Sequence, residues 1–325
     1  YTIAVILLTI ILMLYSFVAS GYKAFSIILL SVFGITSYVL SFKLLKDINQ
    51  HSLASKLVKW GIYYYLLSSL ATWFLAGVIV TEGKTDLYFN TVYFYLHFLY
   101  NGFFVFALFG LLFKSIENRN IVLSKSLTNK FFVYLNIACI PTYALSILWS
   151  DVAIYYNVIG GLGALAQLLS FFYLLLIIKN TVCKISFSTI EKWLLYFAIA
   201  SYALKISMQV ASAFPYFVEK AVALKPFFII GYLHLFTLGF MSALLILLLV
   251  LLKKFKEQLL TFKSGVLLFL IGVLVSELLL FGNGFSIMFA IGILPNYQFF
   301  LVVFSALIFI GIFLLTLNSF SKIKK

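Results

Sequence analysis

Apolar runs of 18 residues or more recur along the whole length of the chain, and this constrains the fold more than any other feature. A run that long crosses a hydrocarbon core of about 30 Å as a helix. Lipid offers backbone N–H and C=O groups no partner, so only helices or closed barrels can span it. A barrel would show short alternating segments, and none appear. With 64% hydrophobic and 10% charged residues, the chain also lacks the polar surface a soluble domain needs. The fold class is therefore an all-α polytopic membrane protein. About ten spans are expected in one bundle, near 1–19, 24–42, 60–80, 91–113, 131–149, 152–178, 193–213, 227–252, 266–283 and 298–318.

The net charge of +14 is a topology signal. Of 23 Lys and Arg residues, 18 fall in the even-numbered loops and the C-terminal tail. Lys23, Lys84, Lys220 and Lys225 lie on the other side, and Lys205 sits inside a span. The positive-inside rule then puts both termini in the cytoplasm of a bacterial inner membrane. It also makes the lipid bilayer, and not nucleic acid, the natural partner of these lysines. Trp60, Trp149 and Trp193 fall at span ends, as an aromatic belt requires. Cys139 is placed in a span and Cys183 in a cytoplasmic loop, so no disulfide is expected. His51, in a basic loop, reads as a solvated surface residue. The first span reads as a retained helix, with the natural N-terminus expected upstream of Tyr1, because no small-residue cleavage site precedes it.

No linker divides the chain, which reads as a single transmembrane domain over 1–325. There is no Walker-type loop, which argues against an ATP-driven pump, and Gly160-Gly161-Leu162-Gly163 suits tight helix packing instead. Residues 96–103, LHFLYNGF, parallel residues 233–240, LHLFTLGF; both read L-H-x4-G-F. This suggests parallel repeats around 60–178 and 193–318, as some transporters have.

Ionisable side chains inside spans are costly and mark functional sites. Here they are His97, His234, Lys205 and Glu277. At about 1.5 Å per residue, all four lie roughly 9–12 Å beneath the outer surface. Two histidines at one depth suit a bis-imidazole haem iron or a copper ion. Gly102 and Gly239, five positions after each histidine, would admit a flat macrocycle or a neighbouring helix. Lys205 and Gln209 share a helix face and could hold haem propionates or an anionic substrate; Glu277 could relay protons or neutralise Lys205. The structural readings are interhelical hydrogen bonding by each histidine, a buried Lys205–Glu277 pair, and Gln209, Asn101 and Asn157 as links between helices.

The two H-x4-G helices resemble the NnrS family of haem- and copper-containing membrane proteins and, more distantly, subunit I of haem-copper oxidases. His234, Thr237 and Gly239 match one family helix; His97, Gly102 and Phe103 match another. The resemblance implies haem b, or alternatively copper, on His97 and His234 as metal ligands, with a redox, nitric-oxide or haem-handling role and respiratory partners. Phe98 and Leu235 replace the family's alanines after each histidine. Two intramembrane histidines are too few for a complete oxygen- or nitric-oxide-reducing centre. The sequence keeps two other classes open: a proton-coupled secondary transporter, and a non-catalytic subunit of a larger membrane complex.

The charge asymmetry makes a direct prediction. In intact cells a membrane-impermeant maleimide labels Lys220→Cys, whereas Lys256→Cys labels only after permeabilisation.

Overall fold

The computed structural model describes residues 1–21, 23–48, 52–150, 152–182, 184–185 and 187–323; His51 and Cys183 lie outside them. Among the described residues every regular element is a helix. Among these residues nine runs are long and apolar enough to cross a membrane. The chain divides into two compact units, Tyr1–Gly110 and Leu111–Lys325.

The first unit contains α1 (Thr2–Ser20), α2 (Ala24–Asp47), α3 (Leu53–Thr81), α4 (Asp86–His97), the π-helical segment π1 (Phe98–Phe104) and the start of α5 (Val105–Glu117). α1 and α2 form a hairpin, and α3 packs along α4 and π1. The α2–α3 contact carries a hydroxyl chain: Trp73 Nε1 donates to Tyr38 Oη at 2.7 Å, which donates to Ser69 Oγ at 2.8 Å. A Cβ on Gly61 would lie 3.3 Å from the Phe103 carbonyl oxygen, so glycine lets α3 approach its neighbour closely.

The second unit continues with α6 (Lys125–Cys139), α7 (Tyr143–Ser146), α8 (Tyr155–Val182), α9 (Thr189–Ala211), α10 (Pro215–Ala223), α11 (Lys225–His234), π2 (Leu235–Ser242), α12 (Ala243–Leu251), α13 (Leu260–Met288) and α14 (Tyr297–Ile323). α9 starts on a capping box: Ser188 Oγ accepts from the Glu191 amide at 3.3 Å, and Glu191 Oε2 accepts from the Ser188 amide at 2.6 Å.

The expected fifth span, 131–149, differs from a continuous helix. Pro141 has no N–H, and its ring clashes with the carbonyl four residues earlier, so α6 ends at Cys139. The Ala138 carbonyl just before the break accepts twice from Thr142, from its amide at 3.2 Å and from its Oγ1 at 2.7 Å. Gly160 and Gly163 of α8 receive the broken segment: a Cβ at Gly163 would lie 2.8 Å from the Thr142 amide, and one at Gly160 would meet Leu145 Cδ2. The glycine cluster thus packs helices tightly, as its composition suggests.

α13 and α14 pack along each other closely. A Cβ on Gly272 would meet the Ile308 amide and the Phe304 carbonyl at 2.9 Å. Two asparagines fasten adjoining loops. Asn283 Oδ1 accepts from the Leu294 amide at 2.8 Å, and Asn318 Oδ1 accepts from the Lys256 amide at 2.8 Å.

A leucine at Gly272 must push these backbones apart, at a cost of about 1–3 kcal/mol. Gly282→Ala, whose Cβ meets only Leu294 Cδ1 at 3.8 Å, should be nearly neutral. Thermal unfolding in detergent of Gly272→Leu beside Gly282→Ala checks the contrast.

Candidate functional site

The second unit brings three of the four intramembrane ionisable residues to one level. α9 runs antiparallel to the α11–π2–α12 span. A Cβ on Gly239 would lie 2.6 Å from Ser201 Oγ, the Tyr202 and Phe240 rings are 4.7 Å apart, and Lys205 Nζ lies 5.7 Å from the Phe236 ring centre. His234 ends α11, two residues before Phe236. From α13, Glu277 reaches the same level: its Oε1 is 3.8 Å from His234 Nδ1. The separation is too long for a hydrogen bond and within reach of an ion pair.

The environments of these groups differ sharply. Lys205 is fully buried, with Nζ over the rings of Tyr202 at 5.6 Å and Phe236 at 5.7 Å, distances suited to cation–π attraction. Gln209, one turn further along α9, is buried, and its Oε1 has no hydrogen-bond donor. Both carboxylate oxygens of Glu277 are likewise buried without a donor. The His234 side chain, by contrast, is 44% exposed while that of Glu277 is 7% exposed. The pair therefore joins an accessible imidazole to a sealed carboxyl group.

Tyr202, Gln167, Ser201 and Phe236 complete the surroundings and were not singled out from the sequence. Gln167 Nε2 donates to Tyr202 Oη at 3.2 Å, linking α8 to α9. Ser201 and Tyr202 precede Lys205 by four and three residues, the spacing that shares one helix face. That spacing was the available signal.

His97 lies in the first unit, buried at the end of α4. Its Nδ1 is 3.4 Å from Asn101 Nδ2, and its ring meets Phe98 edge-on with centres 5.1 Å apart. Asn157, also expected to link helices, donates from Nδ2 to the Ala213 carbonyl at 3.2 Å.

The L-H-x4-G-F match extends to the backbone. Each histidine is the last α-helical residue before a π-helical segment, Phe98–Phe104 after His97 and Leu235–Ser242 after His234. π-helix accounts for well under about 1% of residues and concentrates at functional sites. Ser242 Oγ donates to the Thr237 carbonyl at 2.9 Å, which helps satisfy the widened turn.

The glycines of both motifs have protein against them. A Cβ on Gly102 would lie 2.5 Å from Tyr64 Cβ, and Ser201 fills the same position at Gly239. Of the two roles open to these glycines, the structure shows close helix approach. Tyr64 and Ser201 leave no room for a flat macrocycle against Gly102 or Gly239. Among the described residues no three His, Cys, Asp or Glu side chains gather as a metal site. Compared with protein-family models, curated proteins and solved structures, the chain finds no match.

The Gly239–Ser201 contact is testable as a pair. Gly239→Ala alone should destabilise by about 1–3 kcal/mol, and adding Ser201→Gly should recover most of that loss. Thermal unfolding of the two single variants and the double variant measures the coupling.

Proposed function

We propose that the chain is a proton-coupled secondary transporter of a bacterial cytoplasmic membrane, with His234 and Glu277 as the proton-binding pair. On this reading α6, the Pro141 break and α7 together make a tenth crossing. Both termini then lie in the cytoplasm, where the basic loops place them, and the His234–Glu277 level lies in the outer half of the bilayer.

One observation carries the reading. Glu277 holds two buried oxygens with no donor, 3.8 Å from an imidazole that is 44% exposed on its side chain. An ionised group near the middle of a bilayer costs about 2.5–3.5 kcal/mol even on the lenient scale. A proton held between His234 and Glu277 removes that cost, whether as carboxylic acid beside neutral imidazole or as carboxylate beside imidazolium. His234, the exposed member, is placed to exchange the proton with the outside, and Glu277 to store it. Gating would part helices around this level, and the π-helical turn directly after His234 is a local break in the regular hydrogen-bond ladder. The haem expectation is not carried further, because Tyr64 lies against Gly102 and Ser201 against Gly239, where a macrocycle would sit.

Proteoliposomes with a trapped pH dye test the proposal when challenged in turn with sugars, amino acids and organic acids. At least one class should drive solute-dependent proton movement, reduced about tenfold or more in Glu277→Gln and His234→Ala. Proton movement unaffected by either variant, or no proton movement with any class, contradicts it.

A further inference from the structure

We infer that the His234–Glu277 pair is the docking point for an apolar α-amino acid in its zwitterionic form, with the solute's ammonium group on Glu277 and its carboxylate on His234. The inference deepens the proposed function, by naming the solute taken up with the proton, and rests on it.

Three observations on the second unit carry it. The first is an unmet need for donors. Both oxygens of Glu277 are buried and accept from no donor among the described residues. A buried acceptor in that state costs free energy until a donor arrives, and the N–H of a cation is the strongest donor a carboxylate can take. The second is the meeting of two opposite chemistries at short range. His234 Nδ1 lies 3.8 Å from Glu277 Oε1, and the imidazole is the accessible member. An α-amino acid carries its ammonium and carboxylate on one carbon, so it can address two groups this close at once. The third is what lies one turn away. Phe281 follows Glu277 by four residues, and its ring closes over Gly231, three residues before His234: a Cβ there would lie 2.9 Å from Phe281 Cζ. Phe228 continues the wall, its ring centre 6.4 Å from that of Phe281 and 5.1 Å from that of Phe285. Phenyl rings give a side chain dispersion contacts and no hydrogen bond, which favours an apolar one.

Charge balance gives the coupling. Among the described residues neither His234 nor Glu277 has another ion-pair partner. On the helices packed against them, Lys205 of α9 is already engaged with the rings of Tyr202 and Phe236. Tyr232 lies two residues before His234, Glu219 and Lys220 belong to α10, and Tyr297 begins α14. With one proton the pair is imidazolium beside carboxylate, neutral in sum. A zwitterion then replaces their mutual attraction with one to each end of the solute and adds no charge. Without the proton the pair is an anion, and the solute's carboxylate meets no imidazolium. A solute that is only an anion or only a cation leaves a net charge, which the bilayer penalises. No covalent bond changes. One proton and one zwitterion move together, so one positive charge crosses with each solute.

The test is binding of phenylalanine to the full chain in detergent, beside phenylalaninamide, which lacks the carboxylate, and 3-phenylpropionate, which lacks the ammonium. Phenylalanine should bind about tenfold or more tighter than either, the effect of one charge-assisted hydrogen bond. Its binding should be tighter at mildly acidic than at mildly alkaline pH. Glu277→Gln should erase the advantage over 3-phenylpropionate, and His234→Ala the advantage over phenylalaninamide. Each variant should keep the other preference, which a misfolded protein would not. Equal binding of the three probes, no binding of phenylalanine, or preferences untouched by both variants overturns the inference. If a sugar or an organic acid instead drives Glu277-dependent proton movement in vesicles, the transporter reading stands and the amino-acid site falls. If phenylalanine binds with both preferences while no solute moves protons, the site stands and the transporter reading falls.

Discussion

Lipid gives neither a backbone amide nor a charged side chain anything to bond to, and the rest of the structure follows from that. Helices form because they close their own hydrogen bonds. Where a helix is irregular, nearby hydroxyls turn back onto its carbonyls: Thr142 Oγ1 donates to Ala138 beside Pro141, and Ser242 Oγ donates to Thr237 in π2. Where helices associate without a hydrophobic drive, small residues let backbones meet. Gly272 against α14, Gly163 against the Pro141 break and Gly61 against α5 are such contacts.

Against that background the exceptions stand out. Glu277 and Gln209 keep buried acceptors without donors in a setting that penalises them. Lys205 is held by ring faces. An arrangement that retains a buried ammonium, an imidazole and a carboxylate within one layer is costly as a purely structural device. Its cost is understood if protons pass through that layer.

The membrane class was legible from hydropathy alone, since span length is set by bilayer thickness and leaves little to tertiary context. Nine of the expected spans appear as helices. The fifth, 131–149, is apolar throughout but is not one continuous helix, because Pro141 interrupts the backbone and hydropathy does not register a missing N–H. The common depth of Lys205, His234 and Glu277 was legible from residue counts along adjoining spans. Their individual partners were not. Whether Glu277 meets an imidazole or an ammonium depends on helix rotation, which residue spacing does not fix. The π-helical turns were present only as the L-H-x4-G-F match, a sequence trace too short to disclose its backbone geometry. The glycines of that motif were legible as places of close approach, but what approaches them, Tyr64 and Ser201, is a tertiary fact.

Infrared difference spectroscopy of the reconstituted protein across a pH titration tests the shared proton between His234 and Glu277 most directly. The account predicts a carbonyl stretch from a buried protonated carboxyl group that grows as pH falls, vanishes in Glu277→Gln and moves in His234→Ala. A carboxyl signal indifferent to both substitutions would contradict it.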